Sequence, residues 1–432
     1  MGDGNTRQET DDELRRRLLK ALGVGAAGSF AGYLGERTAT QDDGDTLRVG
    51  VYGPLTGPTA NIGEQKRNGW DLMADLVNEN GGIDGAEIEL FYADSESEPA
   101  SGRSAVNRLI QQEDIDVLGG GYHSDVTLSV VEVTNQNDVP QIIDESVSAA
   151  IVEKINENDM QNAFKTAPPS QAYAAAWGDL IQDFQEAEVG YFPFEDQRVA
   201  LIAEDTSYGI TVMEETASEF EDAGWEVISQ DEVPLDETNF TPVLSRIRAE
   251  EPDVVWAVQT SSAGTGAVVQ QFRELGFENT HFMHNFGLTI PQARENAGAS
   301  ADGVFTIVHP DKIPQLLSEL GWQEPWDETY DAEMSGSAAT SLSNIWVIAN
   351  LVEAVGGVEA LRDAGMDEWG QTVIDAEPIK SGIGYVDYEE NHQAAWGSAD
   401  TIPTIGYQVM DGELNFVWPF DLAETEVDES PY

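Results

Sequence analysis

The sequence predicts an α/β protein with two lobes, each built on a doubly wound parallel sheet. Strand-like and helix-like segments alternate along the chain, which is the order that the β-α-β units of a parallel sheet require. The same order then recurs in the second half of the chain. Arg48 matches Arg198 and Asp116 matches Asp253, at offsets of 150 and 137 residues, a drift that short deletions explain.

The first unit begins with a buried strand and a Gly/Pro turn. Residues 63–80 then carry Trp70, Met73 and Leu76 at helical spacing, which predicts a helix with one apolar face. Gly82 and the glycine before it end this helix. The predicted strands of this unit are 48–53, 87–92, 116–120 and 140–143, and its other helices are 101–112 and 125–136.

The second unit repeats this order and is followed by further helices and strands. Its predicted strands are 198–203, 224–229, 253–258, 281–286 and 303–308, and its helices are 209–223 and 240–250. Helical segments near 313–320, 338–355 and 358–375 carry apolar faces that need a sheet to cover them. Strand-like segments at 384–388, 406–410 and 414–417 close the chain.

The chain is strongly acidic, and this excludes some classes of partner. Its 432 residues include 80 Asp and Glu against 21 Lys and Arg, a formal net charge of −59. Such a surface repels nucleic acids and anionic membranes. Because salt at about 1 M shortens the Debye length to about 3 Å, we expect a salt-adapted protein from a hypersaline setting. Hydrophobic residues still make up 41% of the chain, enough for a sizeable core.

Residues 1–45 resemble an export signal followed by an acidic linker. Arg15, Arg16 and Arg17 precede an uncharged run at 21–35, which is too short to span a bilayer comfortably. Paired arginines followed by Leu-Leu-Lys resemble a twin-arginine signal, the route for proteins that fold before export. An amphipathic surface helix is the alternative. No other stretch predicts a transmembrane helix, so we expect an extracellular or cell-surface protein.

Catalytic motifs are absent from the sequence, which favours a protein that is not an enzyme. There is no Gly-Lys pair of a P-loop, no Gly-x-Ser-x-Gly and no His-Glu-x-x-His. The absence of cysteine excludes disulfides, thiolate metal sites and a lipid-modified cysteine anchor. His281 and His284 have a spacing of three, which places their rings on opposite faces of a strand. We therefore expect neither a metal nor a cofactor.

Polar loops follow several predicted strands, and ligands of open α/β sheets bind at this edge. One loop combines glycines with Tyr122, His123 and Ser124. Free amides at the helix start near Ser124 would suit an anionic group such as a carboxylate, although Ser124 could equally be an ordinary N-cap. Tyr208 lies in another such loop and is suited to closing over a ligand, with packing on its own helix as the alternative. The remaining loops are 53–58, 144–148, 259–262 and 284–286.

These segments resemble the branched-chain amino-acid and amide group of periplasmic-type substrate-binding proteins, the receptors of ABC importers. The resemblance rests on Val49-Gly-Val-Tyr-Gly-Pro-Leu-Thr-Gly and on the runs at 63–69, 78–85, 205–209 and 239–248. It implies the type I periplasmic-binding fold, in which a three-crossover hinge joins two lobes that close on a solute. Lobe 1 would then hold 46–165 plus about 311–378, and lobe 2 would hold 166–310 plus about 379–432.

The resemblance also implies ligand-binding roles for individual residues. Ser124 matches the serine that binds a ligand carboxylate, and Tyr122 and His123 lie where family side chains line the ligand's tail. Ser146 and Ser148 fall in the loop that meets the ligand's amino group.

In the second lobe, the resemblance places three further residues at the ligand. Tyr208 matches the cleft tyrosine of the family, and Thr260 falls where another tyrosine is common. Phe286 stands where amino-acid receptors commonly place a glutamate that pairs with the ligand ammonium. Because a buried ammonium without a counter-charge is unfavourable, either Glu145 or Asp205 supplies the charge or the ligand lacks an α-ammonium.

The expected function is therefore a monomeric, non-catalytic receptor that passes a small solute to an ABC permease and ATPase complex in the membrane. The solute is a branched-chain or other amino acid or an amide, with urea-like, carboxylate and aromatic solutes as the alternatives. A sensor module of the same fold and an enzyme on the two-lobe scaffold are the rival functions.

Overall fold

The structure, a computed structural model, describes residues 46–187, 194, 196–277, 279–420, 423 and 425–428. The predicted export signal and linker at 1–45 lie outside the described residues. The described chain forms two α/β lobes, with sheets of five and seven strands. This confirms the predicted fold class.

Lobe 1 is built on a five-stranded parallel sheet. Its strands are β1 Leu47–Gly53, β2 Ile88–Asp94, β3 Val117–Gly120, β4 Gln141–Ile143 and β5 Ala163–Lys165, in the order β2-β1-β3-β4-β5. Its first helices are α1 Ala60–Glu79, α2 Pro99–Gln112, α3 Ser124–Gln136 and α4 Ala149–Glu157. Val49 and Val117 face one apolar cluster and Tyr52 and Leu118 face another, so helices cover both faces of this sheet.

Lobe 2 begins with a second parallel series of strands. They are β6 Arg198–Glu204, β7 Glu226–Val233, β8 Val254–Val258, β9 His281–Asn285 and β10 Phe305–Val308. The helices are α5 Ser170–Glu186, α6 Ser207–Asp222, α7 Thr241–Arg248, α8 Ser262–Glu274 and α9 Pro291–Ala297, with 3₁₀ turns at Gly287–Thr289 and Gly298–Ala301.

The repeat between the lobes extends to single hydrogen bonds. The backbone N–H of Arg48 donates to Oδ2 of Asp116 over 2.8 Å, and the N–H of Arg198 donates to Oδ2 of Asp253 over 2.9 Å. Each bond ties the start of a lobe's first strand to the residue before its third. The residues matched in the sequence therefore hold equivalent positions in the two sheets.

The chain crosses between the lobes three times, near 166–169, 309–313 and 402–405. After the second crossing, lobe 1 gains α10 Pro314–Leu320, α11 Gln323–Thr329, α12 Gly336–Val355, α13 Val358–Asp363, α14 Met366–Asp375, β11 Ile379–Ser381 and β12 Gly384–Val386. After the third, β13 Ile405–Met410 and β14 Glu413–Trp418 add antiparallel strands to lobe 2, giving the order β14-β13-β10-β9-β8-β6-β7.

The predicted lobe boundary near residue 379 needs correction, because the chain stays on lobe 1 as far as about residue 402. Ile383 and Ile402 lie in the apolar core of lobe 1, and the N–H of Lys165 in β5 donates to the carbonyl of His392. Only β13 and β14 return to lobe 2. The single helix predicted at 358–375 is also two helices, α13 and α14, since the backbone is extended between them at Ala364.

Helix α12 is the central helix of lobe 1 and lies along α1. A Cβ atom on Gly69 would come within 2.3 Å of the carbonyl oxygen of Ala338, so glycine permits this close approach. By length and composition α12 could cross a membrane, although no transmembrane helix was predicted from the sequence there. However, 72% of its apolar stretch is buried inside the fold, as in the core helix of a globular protein.

Candidate functional site

A cavity lies between the two lobes, with about 340 Å³ of space not filled by atoms, part of which is open to solvent. Its walls come from the segments that follow β3 and β4 in lobe 1, from those that follow β8, β9 and β10 in lobe 2, and from the starts of α5 and α6. This is the strand edge at which the sequence predicted the binding loops. The lining residues are Tyr122, His123, Glu145, Val147, Tyr173, Tyr208, Thr260, Phe286 and His309.

Aromatic rings form most of the cavity wall. The ring of Tyr122 lies 6.2 Å from that of Phe286, across the gap between the lobes. The ring of Tyr173 lies 6.3 Å from that of Tyr208, edge to face, and 3.7 Å from that of His309. All five rings are buried, so an enclosed ligand would contact mainly aromatic surface.

A short hydrogen-bond chain fixes the ring of Tyr208. Asn285 Nδ2 donates to the Tyr208 hydroxyl over 2.9 Å, and Trp177 Nε1 donates to Asn285 Oδ1 over 3.0 Å. Burial raises the pKa of Tyr208 well above its usual value, so the phenol stays protonated at neutral pH. The hydroxyl therefore reaches the cavity as a neutral, pre-oriented group.

Phe286 has a strained backbone. Its φ of 67° and ψ of −58° are close to those of a γ-turn, a conformation that a residue with a side chain rarely adopts. Its N–H donates to the carbonyl of Ile307 over 2.9 Å, which ties this turn to β10. Strain of about 1–3 kcal/mol at a cavity wall is typical of a position held in place for function.

A buried ion-pair cluster lies behind Glu145. Lys66 Nζ lies 2.9 Å from Glu145 Oε2 and 3.0 Å from Asp144 Oδ2, and Ser337 donates to Glu145 Oε1 over 2.5 Å. Burial alone would lower the pKa of Lys66, but the two carboxylates raise it, so the lysine stays charged. Burial raises the pKa of Asp144 to about 6. The ammonium group of Lys66 therefore pairs with the carboxyl groups of both Asp144 and Glu145.

A third buried carboxyl group lies behind Thr260. Both the backbone N–H and the hydroxyl of Thr260 donate to Glu204 Oε2, over 2.7 and 2.8 Å, and the hydroxyl of Thr206 donates to Oε1. Burial raises the pKa of Glu204 to about 7. Glu204 thus fixes Thr260 at the cavity and adds negative charge beneath it.

The two histidines of the cavity are neutral at pH 7. Burial lowers the pKa of His123 to about 4, and its Nε2 lies 3.0 Å from the hydroxyl of Thr59. Burial also lowers the pKa of His309 well below its usual value. Among the described residues, neither ring nitrogen of His309 has a hydrogen-bond partner. Its imidazole is thus able to bind a polar group of a ligand.

Five of the eight predicted ligand-binding residues line the cavity: Tyr122, His123, Tyr208, Thr260 and Phe286. The three serines do not line it. The hydroxyl of Ser146 lies 2.6 Å from that of Thr127, within lobe 1, and the hydroxyl of Ser124 accepts the N–H of Ser148. The hydroxyls of Ser146 and Ser124 thus satisfy buried groups of lobe 1 itself, whereas that of Ser148 accepts from the hydroxyl of Ser207 in lobe 2 over 3.4 Å.

Four lining residues were not among the predicted eight: Glu145, Val147, Tyr173 and His309. Glu145 was one of two alternatives for a counter-charge, and the other, Asp205, is exposed and does not line the cavity. His309 directly follows a predicted strand, so the expectation that ligands bind at the carboxyl ends of strands applies to it as well. Tyr173 lies on a helix beyond the first crossover, and the sequence holds no comparable signal for it.

The lobes are closed on each other around the cavity. The N–H of Ser207 donates to Asp125 Oδ2 over 3.0 Å, and Asn61 Nδ2 donates to the hydroxyl of Ser262 over 2.7 Å. Ile62 of lobe 1 also packs in the apolar cluster of lobe 2. Polar and apolar contacts thus bridge the gap between the lobes.

Comparison with known proteins places the chain in a family. Residues 46–396 match the family model described as periplasmic binding protein. Leu/Ile/Val-binding protein homolog 7 of Brucella abortus is 23% identical over 389 residues, 88% of this chain and 93% of that protein.

Solved structures share the fold. The leucine binding protein LivK of Thermotoga maritima superposes with a TM-score of 0.73 at 18% identity, covering 87% of this chain and all of that one. A solute binding protein of R. palustris in complex with benzoate gives 0.72 at 19% identity, covering 86% and 95%. With a family model that spans most of its length, this chain belongs to the periplasmic binding protein family.

Proposed function

We propose that this chain captures a small polar solute between its lobes and delivers it, chemically unaltered, to an ABC permease and ATPase complex. The observation that carries the proposal is the cavity between the lobes, to which both lobes contribute side chains. Such a cavity forms only when the lobes close, so a ligand that contacts both lobes favours the closed form. The Tyr122 and Phe286 rings, one from each lobe, show this arrangement most directly.

The ligands of related proteins support a small organic solute. The names of the relatives refer to leucine, isoleucine and valine, and one solved neighbour from Streptococcus pneumoniae holds isoleucine. The R. palustris neighbour holds benzoate. The aromatic and polar residues that line the cavity could contact either kind of molecule. We propose an amino acid or amide as the solute, with urea-like, carboxylate and aromatic solutes as the alternative.

The place of action follows from charge and from the N-terminal sequence. We propose that residues 1–45 direct export by the twin-arginine route and that the monomeric receptor works outside the cell in concentrated salt. Carboxylates that lie close to one another support the proposal that the protein works in concentrated salt. Partial burial and the neighbouring Asp71 raise the pKa of Asp75, and partial burial and Asp183 raise that of Asp179. Concentrated salt would screen this repulsion.

A ligand screen tests the proposal. The protein, in molar potassium chloride, is melted with amino acids, short amides, urea and aromatic acids, and hits are confirmed by calorimetry. A true ligand at 100 times its Kd stabilises the folded state by about 2.7 kcal/mol. Recovery of the ligand unchanged supports a receptor, and its conversion would show an enzyme. Capture of a signalling receptor from membranes, in place of a permease, would show a sensor.

A further inference from the structure

The charge of the cavity distinguishes between the solute classes that related proteins bind. Among the described residues that line it, Glu145 is the one with a carboxyl group. The residue as a whole is 6% exposed. The other polar groups of the wall are tyrosine hydroxyls, a threonine and two neutral histidines.

The positive charge nearest to Glu145 is already shared. Lys66 lies within 3.0 Å of both Glu145 and Asp144, and the three side chains are at most 5% exposed. With both carboxylates ionised, this cluster has a net charge of −1. Glu204, behind Thr260, adds a partial negative charge from lobe 2, because its pKa of about 7 leaves it about half ionised at neutral pH. An anion placed in this enclosed space would be repelled, and a cation would be attracted.

The aromatic wall favours the same sign of charge. The faces of aromatic rings are electron-rich and attract cations, most strongly when water is excluded. Tyr122, Tyr173, Tyr208 and Phe286 supply four such rings to the cavity that Glu145 also lines.

Two backbone donors that directly precede or follow cavity residues in the chain are engaged within the protein. The N–H of Ser207, at the start of α6, donates to the carboxylate of Asp125. The N–H of Ser148, at the start of α4, donates to the hydroxyl of Ser124. A ligand carboxylate would have to displace these acceptors to use either amide. The groups of the wall that have no partner among the described residues, the Tyr122 hydroxyl and the His309 ring, are neutral and supply no positive charge.

We propose that the cavity binds its solute by a cationic nitrogen, with Glu145 of lobe 1 as the counter-charge, and that it rejects aromatic and aliphatic carboxylates that lack such a group. This inference rests on the proposed receptor function and specifies its solute class. It assigns the counter-charge to a residue of lobe 1, whereas Phe286 in lobe 2 occupies the position where the sequence comparison expected a glutamate.

Two matched sets of probes test the inference by calorimetry in molar potassium chloride. The aliphatic set is leucine, 3-methylbutylamine and 4-methylpentanoate, and the aromatic set is phenylalanine, 2-phenylethylamine and 3-phenylpropanoate. Within each set the hydrocarbon is kept while the ammonium or the carboxylate is removed. In at least one set the amine should bind, and the carboxylate should bind about 100-fold more weakly or not at all. If no amine binds, or if a carboxylate binds as well as its amine, the inference is overturned.

A pair of carboxylate variants identifies the counter-charge. Glu145→Gln keeps the size of the side chain and removes its charge, and it should weaken binding of the amine about tenfold or more. Asp205→Asn removes one charge from the exposed alternative and should leave the affinity unchanged. Equal affinity of Glu145→Gln and the wild-type protein would overturn the assignment. If Glu145→Gln fails to fold, the affinities of the wild-type protein for the amine and carboxylate probes still test whether the cavity prefers a cation.

These outcomes separate the inference from the receptor function itself. Tight binding of benzoate or 4-methylpentanoate, with no binding of amines, would leave the receptor function intact and refute the cationic solute. Failure of every small solute to bind would refute both.

Discussion

The backbone N–H of Ser207, the first residue of α6 in lobe 2, donates to the carboxylate of Asp125 in lobe 1 over 3.0 Å. Opening of the cleft must break this bond. Asp125→Ala should therefore weaken solute binding by about 1.5–3 kcal/mol, the usual contribution of a hydrogen bond to a charged group. Asp125 does not line the cavity, so the loss would come from the closed form itself. Calorimetry measures the affinity, and small-angle scattering measures the open fraction.

Asp205→Ala is the matched control for Asp125→Ala. Asp205 lies close in the chain to Ser207, is exposed, and carries the same charge, so its removal changes the net charge without removing the bond between the lobes. An unchanged affinity in Asp125→Ala, or an equal loss in both variants, would show that this bond does not control closure.

Tyr208 and Ser124 should differ in their effect on binding. Tyr208→Ala removes a ring from the cavity and the acceptor of Asn285 Nδ2, so we expect binding to weaken by about 1–3 kcal/mol. Ser124→Ala removes a hydroxyl that accepts the N–H of Ser148 inside lobe 1, so the variant should lose stability while affinity changes little. Melting and calorimetry of both variants test this. A larger loss of affinity in Ser124→Ala than in Tyr208→Ala would show that Ser124 contacts the ligand.

The sequence predicted the two sheets because buried strands and amphipathic helices have distinct periods. It could not assign residues 379–402 to a lobe. A short strand such as β12 has the same local sequence pattern whichever lobe it joins. The lobe is determined by contacts between residues far apart in the chain, such as the hydrogen bond between Lys165 and His392.

The same limit applies to the site. The rule that ligands bind after parallel strands found Tyr122, Thr260 and Phe286, because a strand end fixes where the next residues lie. It could not show which way a side chain points. Ser146 follows a strand as directly as Glu145 does, yet its hydroxyl bonds inside lobe 1 while Glu145 lines the cavity.

His309 should contribute to binding without contributing to stability. Both of its ring nitrogens are buried and, within the described part of the chain, have no hydrogen-bond partner. Replacing such a polar group by an apolar one of similar shape costs the folded state little. His309→Phe should therefore melt at or above the wild-type temperature but bind the solute about 1–2 kcal/mol more weakly. A variant that melts lower and binds normally would contradict this role.

The stability contributed by His284 should depend on pH. Burial lowers the pKa of this ring to about 3, whereas histidine in an unfolded chain titrates near 6.5. Between these values the unfolded chain binds a proton that the folded chain does not, so stability falls as the pH falls. Relative to His284→Met, the wild-type free energy of unfolding should drop by about 1.4 kcal/mol between pH 7.5 and 5.5. Denaturant titrations of both proteins at each pH measure this. A difference in the free energy of unfolding that does not change with pH would contradict the prediction.

Salt should stabilise the protein by screening its own charges. With a net charge of −59, repulsion acts across the whole surface, and pairs such as Asp71 with Asp75 show it locally. We expect Tm to rise between 0.1 and 2 M potassium chloride, by about 1 °C for each kcal/mol of repulsion relieved in a chain of this length. Sucrose, which stabilises proteins without screening charge, is the control and should not reproduce the steep initial rise at low salt. Replacing Asp75 by asparagine should reduce the salt dependence, because one repulsive pair is removed. Equal Tm values in dilute buffer and in molar chloride would show that the acidic surface is not an adaptation to salt.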